Sequence, residues 1–446
     1  MIKVGLEAIA FDIPKIYLPI DVLAKHRHIE VEKLTKGLGL ERMSFPDAHQ
    51  DVVCLAANAL YELFTTNDIH PQDIHRIYVG TECAVDASKP IASYLLDIME
   101  QVLSERYGVH SLGHCDVVDM TFACIGGVDA LLNCLDFIRL NPDKKAIVVC
   151  TDIAKYDLGS GGEYTQGAGA VAMLLSAEPK ILSFHHQIGV STRGVFDFFK
   201  PRRYVPKSQI SVDDSLVQED TVMIYKDQPV FDGQYSNQCY IDRMKEAYYR
   251  CKELKETQRP LFEGWSGIFM HLPYCYQARR MFVEIFASET TSNVSALTKD
   301  EIRALSKSEE YLRFVQEKIY PSEILSAKVG NIYTGSIFLG LISGLNYWAE
   351  TGKEIAGTHI GFISYGSGSK SKVFEATLEN GWRQAIEKTK ATAKIERAIP
   401  ISFEQYLGLY HNSMASIQPP AAEFILEKIE KDSPTLLGAR YYKWIP

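Results

Sequence analysis

The sequence predicts an α/β fold made of two similar halves, and three observations lead there. Short runs rich in Val and Ile, namely Ile74 to Gly80, Ala146 to Thr151 and Ala168 to Leu175, have the length and composition of strands buried on both faces. Between the first two lies a helical run, Cys124 to Arg139. The same order recurs near the C-terminus, where the apolar run Asn331 to Trp348 precedes the strand-like His359 to Tyr365 and Lys372 to Leu378.

The halves divide at about residue 180. The first, 1–180, carries Glu82 and Cys124; the second, 181–446, carries His271 and Asn331. Within the second half the stretch of about 184–324 is rich in Tyr, Arg, Lys and Glu and reads as helices and long loops elaborating that half. Its charge-rich segment Lys299 to Glu317 reads as a solvated helix face.

Composition narrows the function. A chain of 446 residues, 46% hydrophobic and 23% charged, is long enough for two or three domain-sized cores. A net charge of -9 argues against a surface built to neutralise nucleic acid or an anionic membrane. The longest apolar stretch, Ile332 to Ala349, is interrupted by Gly335, Ser336, Gly340, Ser343, Gly344 and Asn346, which suits a buried helix rather than a membrane span. Nine cysteines, most in apolar runs such as those around Cys54, Cys134 and Cys150, are expected to be reduced core thiols. The first residues lack the regions of a secretory signal, so a cytoplasmic protein is expected.

One cysteine has a distinctive setting. In Asp119-Met-Thr-Phe-Ala-Cys124-Ile-Gly-Gly, Cys124 stands between a strand-like run and an apolar helix. A helix start favours thiolate, and the adjacent glycines admit close approach of backbone and substrate. Burial as an ordinary structural thiol is the competing reading, and three other segments decide against it. Val79-Gly-Thr-Glu82 puts a carboxylate beyond a buried strand, where it can serve as a general acid/base. Gly267-Ile-Phe-Met-His271-Leu-Pro-Tyr274 delivers one histidine from a strand to a loop. Val329-Gly-Asn331 and Ile363-Ser-Tyr-Gly366-Ser367-Gly368-Ser369 supply an amide and glycine-freed backbone N–H groups for a developing oxyanion. Gly366 to Lys370 lacks the spacing of a nucleotide P-loop.

Cys, His and Asn in this order resemble the thiolase-like condensing enzymes, and Glu82 narrows the resemblance to hydroxymethylglutaryl-CoA synthases. Further matching segments are Lys33 to Gly39, Gly80-Thr-Glu82, Ala123 to Gly127, Thr165 to Ala170, His271 to Tyr274 and Pro229 to Tyr240. The resemblance implies a duplicated αβαβα layered fold and condensation of acetyl-CoA with acetoacetyl-CoA through an acetyl-cysteine on Cys124. It implies Glu82 as acid/base and His271 and Asn331 as holders of the acetoacetyl thioester. Ser367 and Cys124 would supply oxyanion N–H groups, and Thr165, Ser236 and Gly233 would shape the acyl pocket. Arg279, Arg280 and Lys36 are the candidate CoA cations. No metal and no cofactor beyond the CoA thioesters is implied, and a homodimer is.

Two positions depart from the family pattern. Ile125 replaces the usual aromatic residue after the nucleophile, with an altered acyl pocket as the expected consequence, and Tyr276 replaces a cation near His271. They keep open a β-branching synthase whose acceptor is a β-ketoacyl group on an acyl carrier protein. A noncatalytic acyl-binding scaffold is the alternative of another class.

Overall fold

The computed structural model describes residues 2–210, 220–291 and 297–446. Its centre is a ten-stranded mixed sheet. The first half contributes Gly5–Asp12, Ala168–Ser176, Lys145–Ile153, Ile74–Gly80 and Asp116–Met120, in that spatial order. The second half continues from Gly5–Asp12 through Leu182–Phe184, Lys370–Leu378, His359–Gly366 and Trp265–Met270, with Gly189–Thr192 beside Lys370–Leu378. The halves meet where Leu6 pairs with Leu182.

Alternation along the strands builds three cores on this one sheet, because successive side chains leave opposite faces. Ile147, Val149, Ala172 and Leu174 pack under the outer helices Val52–Thr66 and Ile91–Tyr107. Val148, Cys150, Val171 and Met173 from the first half, with Phe362 and Phe374 from the second, enclose the central helices Gly126–Leu140 and Ser336–Glu350. Ile268, Met270, Ile363 and Val373 face the helices Gly233–Leu254 and Gln277–Thr290. The result is five layers, αβαβα. Helix Ser336–Glu350 is buried along most of its length, which explains an apolar run without a membrane; among the described residues no helix is long and apolar enough to cross one. All nine cysteines are free.

The stretch of about 184–324 does more than elaborate: it supplies the strands Gly189–Thr192 and Trp265–Met270 and the whole outer helix layer of the second half. The strand before His271 is the one read in the sequence, whereas weak apolar periodicity hides Gly189–Thr192. Each is short, and Gly189–Thr192 is buried on one face only.

Each central helix is reached through a left-handed residue three positions before it: Ala123 at φ 41° before Gly126, and Tyr333 at φ 42° before Ser336. Non-glycine residues seldom adopt this conformation, so the surrounding packing must hold it. Close packing below the first turn does so. A side chain at Gly80 would fall 2.4 Å from Gly127 Cα, and one at Gly127 would fall 2.4 Å from Cys150 Sγ.

Candidate active site

The strand ends and the starts of both central helices surround one cavity of about 300 Å³. Cys124, His271, Asn331, Ser367, Thr165, Ser236, Gly233 and Arg280 all line it. The buried His271 marks its inner end and the exposed Arg280 its open end.

Glu82 follows the strand Ile74–Gly80, and the Cys124 thiol donates to its Oε1 at 3.0 Å. Burial, then this carboxylate, pushes the thiol pKa well above its ordinary value. The expectation of a resting thiolate at the helix start is therefore corrected: Cys124 rests as a thiol already hydrogen-bonded to a carboxylate. Desolvation and a carboxylate at contact outweigh half a charge of helix dipole.

Two groups that sequence reasoning missed hold Glu82. Asp152, at the end of strand Lys145–Ile153, accepts from the Glu82 backbone N–H at 2.8 Å, the Thr81 hydroxyl at 3.0 Å and the Thr334 N–H at 3.0 Å, tying the halves together. Burial, then the Glu82 charge, pushes its carboxyl up to about 7. Lys200 places its ammonium 3.5 Å from Glu82 Oε2, with both side chains under one-tenth exposed, and donates to the Glu82 carbonyl at 3.3 Å. Burial opposes this ammonium, but Cys83, Glu82 and Asp152 more than offset it and hold its pKa above the ordinary lysine value. A carboxylate just past a buried strand was a signal available for Asp152, as it was for Glu82. Lys200, between two phenylalanines and a proline in a stretch without periodicity, gave none.

On the opposite wall His271 follows the strand Trp265–Met270. Its Nδ1 lies 3.2 Å from the Ser336 hydroxyl, and burial lowers its pKa to about 3, so it is a neutral imidazole. Asn331 is buried; its Oδ1 accepts from Tyr333 N–H at 2.8 Å, which fixes the side-chain amide in place. Asp197 accepts from the Tyr365 hydroxyl at 2.6 Å and Gly368 N–H at 2.7 Å, fixing the loop that carries Ser367. Thr165 lines the cavity with its hydroxyl already donated to the Gly162 carbonyl at 2.8 Å.

Three expectations are redirected. Arg279 does not reach the cavity: its guanidinium lies 3.8 Å over the Tyr276 ring and pairs with buried Glu323 at 2.9 Å. Lys36 is exposed on helix Val31–Leu38, whose last residue lines the cavity. Ile125 is wholly buried and outside the cavity wall; it packs beneath Gly366, where an added side chain would come within 2.7 Å of it. Ile125 therefore touches the pocket only through the backbone it supports.

A cysteine bonded to a carboxylate, facing a neutral histidine and an asparagine across the middle of an αβαβα fold, defines an acyl-transferring condensing enzyme of thiolase-like architecture. The comparisons narrow this class. Family models match as hydroxymethylglutaryl-coenzyme A synthase N terminal over residues 2–180 and C terminal over residues 308–409. The hydroxymethylglutaryl-CoA synthase of Enterococcus faecalis is 30% identical, covering 92% of each chain, and that of Haloferax volcanii 29% identical, covering 95% of this chain and 96% of the relative. A solved structure of MvaS in complex with 3-hydroxy-3-methylglutaryl coenzyme A superposes with a TM-score of 0.83 at 28% identity, covering 100% of this chain and 99% of that one. The curacin-pathway HMG synthase in complex with holo donor carrier protein shares the fold, with a TM-score of 0.79 at 21% identity. The chain belongs to the hydroxymethylglutaryl-CoA synthase family.

Proposed function

We propose that this protein condenses acetyl-CoA with acetoacetyl-CoA and water to give 3-hydroxy-3-methylglutaryl-CoA and free CoA. The observation that carries the reading is the Cys124–Glu82 hydrogen bond, a nucleophile and an acid/base in one contact. Cys124 Sγ attacks the acetyl carbonyl, the bond to the CoA sulfur breaks, and the thiol proton leaves with the departing CoA. The acetyl group is then held as a thioester, which splits one difficult condensation into easier steps.

Glu82 next removes a methyl proton from the acetyl group. The new carbanion attacks the ketone of acetoacetyl-CoA, and Glu82 returns the proton to the tertiary alkoxide. Lys200 sets an ammonium 3.5 Å from Glu82 Oε2 and so supplies the buried carboxylate with a partner. The backbone N–H groups of Cys124 and Ser367 stabilise the thioester oxygen, while His271 and Asn331 orient the acceptor. Water finally cleaves the Cys124 thioester. These side chains and the two thioesters suffice; the reading calls for no metal or further cofactor.

Arg280 is the cation placed to meet CoA at the open end, and exposed Lys36 is a more distant one. Arg280 also borders a surface groove carrying Lys299 and Arg303. That basic groove favours a second reading, an acceptor delivered by an acidic carrier protein. Kinetics with acetoacetyl-CoA and acetoacetyl-carrier protein separate the two. A kcat/KM about a hundredfold higher for the carrier form, about 2.7 kcal/mol, would establish the second reading. Absence of 3-hydroxy-3-methylglutaryl product from either acceptor, followed by mass spectrometry, would remove both. The homodimer that the family implies is tested by sedimentation.

A further inference from the structure

Four aromatic rings gather around Cys124, and the acid–base chemistry uses none of them. Tyr156 and Tyr333 form a small buried cluster with Ala154, and Cys124, Phe198 and Phe231 pack against it. All four aromatic side chains line the cavity together with Cys124. Ring centroids lie 5.6 Å apart for Tyr156 and Phe231, 5.9 Å for Phe198 and Phe231, and 6.1 Å for Phe198 and Tyr333, so the rings make one continuous wall.

This wall stands beside the reacting pair. Lys200, two residues after Phe198, places its ammonium 3.5 Å from Glu82 Oε2 and 4.7 Å over the Tyr333 ring, the same ring that Phe198 meets. His271 and Asn331 take the opposite wall, so the rings are the apolar surface on which Cys124 can rest acyl carbons.

The rings are also held from behind. Phe198 and Phe231 pair across the short strands Phe198–Phe199 and Val230–Phe231. Tyr156 gives its N–H to Gln166 Oε1 at 2.8 Å, and its carbonyl accepts from the Tyr410 hydroxyl at 2.8 Å. A side chain added at Gly162 would fall 2.1 Å from the Tyr156 ring, so this ring has no room to retreat. A wall packed in this way yields space for extra methylenes only at a cost in strain.

We infer that Phe198 and Phe231, backed by Tyr156 and Tyr333, set the length of the acyl group that Cys124 accepts, admitting acetyl and turning away longer chains. The assignment rests on the acyl-cysteine reading of the site and adds to it which residues measure the chain. Ile125, outside the cavity wall, has no part in that measurement.

The test compares kcat/KM for acylation of Cys124 by acetyl-CoA and by butyryl-CoA, with the acyl-enzyme followed by intact-protein mass spectrometry; in each case the thiol takes the acyl group and CoA leaves as a free thiol. The unsubstituted protein is expected to prefer acetyl by about a hundredfold or more. Phe198→Ala and Phe231→Ala, on separate segments, are each expected to lower that ratio by about tenfold, through a gain with butyryl-CoA. Phe196→Ala, which removes a ring 82% exposed, is the control and should leave the ratio unchanged. Equal losses with both donors in the two cavity variants, as a merely structural role would give, or a ratio unmoved by either, would overturn the assignment. Acylation of the unsubstituted protein by neither donor would instead remove the acyl-cysteine reading, and the assignment with it.

Discussion

The entries to the two central helices use the same backbone device and reach different ends. Ala123 and Tyr333 both turn through the left-handed region three residues before the helix, so Cys124 and Thr334 occupy matching positions. Cys124 faces the cavity and donates to Glu82. Thr334 faces inward, giving its N–H to Asp152 and its hydroxyl to the Gly80 carbonyl at 2.9 Å. In the proposed reaction one half holds the groups that form and break bonds; the other holds that half in register and presents the neutral His271 and Asn331. Duplication of the fold thus supplies a rigid pair of helix starts, and the side chain at each decides whether it reacts or positions.

That division is most exposed to substitutions in the first half. Cys124→Ala is expected to lower kcat by at least about 10⁴-fold, measured as product formation, because no other group can hold the acyl chain. Glu82→Ala is expected to leave acetyl-enzyme formation intact while condensation falls about 10³-fold. The carboxylate is one of the causes holding the Cys124 thiol pKa up, so its loss makes the thiol easier to ionise as it removes the base. Single-turnover measurements of the two half-reactions separate these effects, and normal condensation by this variant would dissolve the contrast between the halves.

Lys200→Met is expected to lower condensation by about 10- to 100-fold, as Glu82 loses its buried partner, and Lys200→Arg to recover most of it. An equal loss in Lys200→Met and Lys200→Arg would reduce the lysine to packing. In the second half, His271→Ala is expected to raise KM for acetoacetyl-CoA by about tenfold with a smaller effect on kcat. Burial holds His271 near a pKa of 3, so the unsubstituted protein should show no inflection near pH 6.5 from this residue. A loss of acetylation in His271→Ala would place the histidine with the reacting groups.

The smallest expected effect lies away from the cavity. Burial alone would raise the Glu375 pKa, but hydrogen bonds from His185, Lys255 and Trp265 outweigh it and hold the pKa near 2. A carboxylate held below its unfolded value contributes stability above about pH 4.5 that is lost as pH falls toward 2. Glu375→Gln should lower Tm by a few degrees at pH 7 and by progressively less in acid. A constant difference would show that the pairing contributes nothing through its charge.

The sequence made legible whatever local pattern encodes. Val- and Ile-rich runs marked Ile74–Gly80 and Ala168–Ser176 closely, and the residues just past strand ends, Glu82 and His271, followed from them. Asn331 and Cys124 were legible as the lead-in to apolar helices. Lys200 was not, because its meaning is a contact across more than a hundred residues made by a segment without periodicity. Arg279 departs from its expected place for the same reason in reverse: Glu323, its partner, is 44 residues away. Ile125 is expected to alter the acyl pocket directly, and only the fold shows that it packs into the core beneath Gly366.

Transfer of a carbon-14 acetyl group from acetyl-CoA tests the central claim most directly, with the labelled residue mapped by peptide mass analysis. Label is expected on Cys124 in the unsubstituted protein and in Glu82→Ala, and none in Cys124→Ser. Equal label on Cys124→Ser, or none on the unsubstituted protein, would contradict the assignment of Cys124 as the nucleophile.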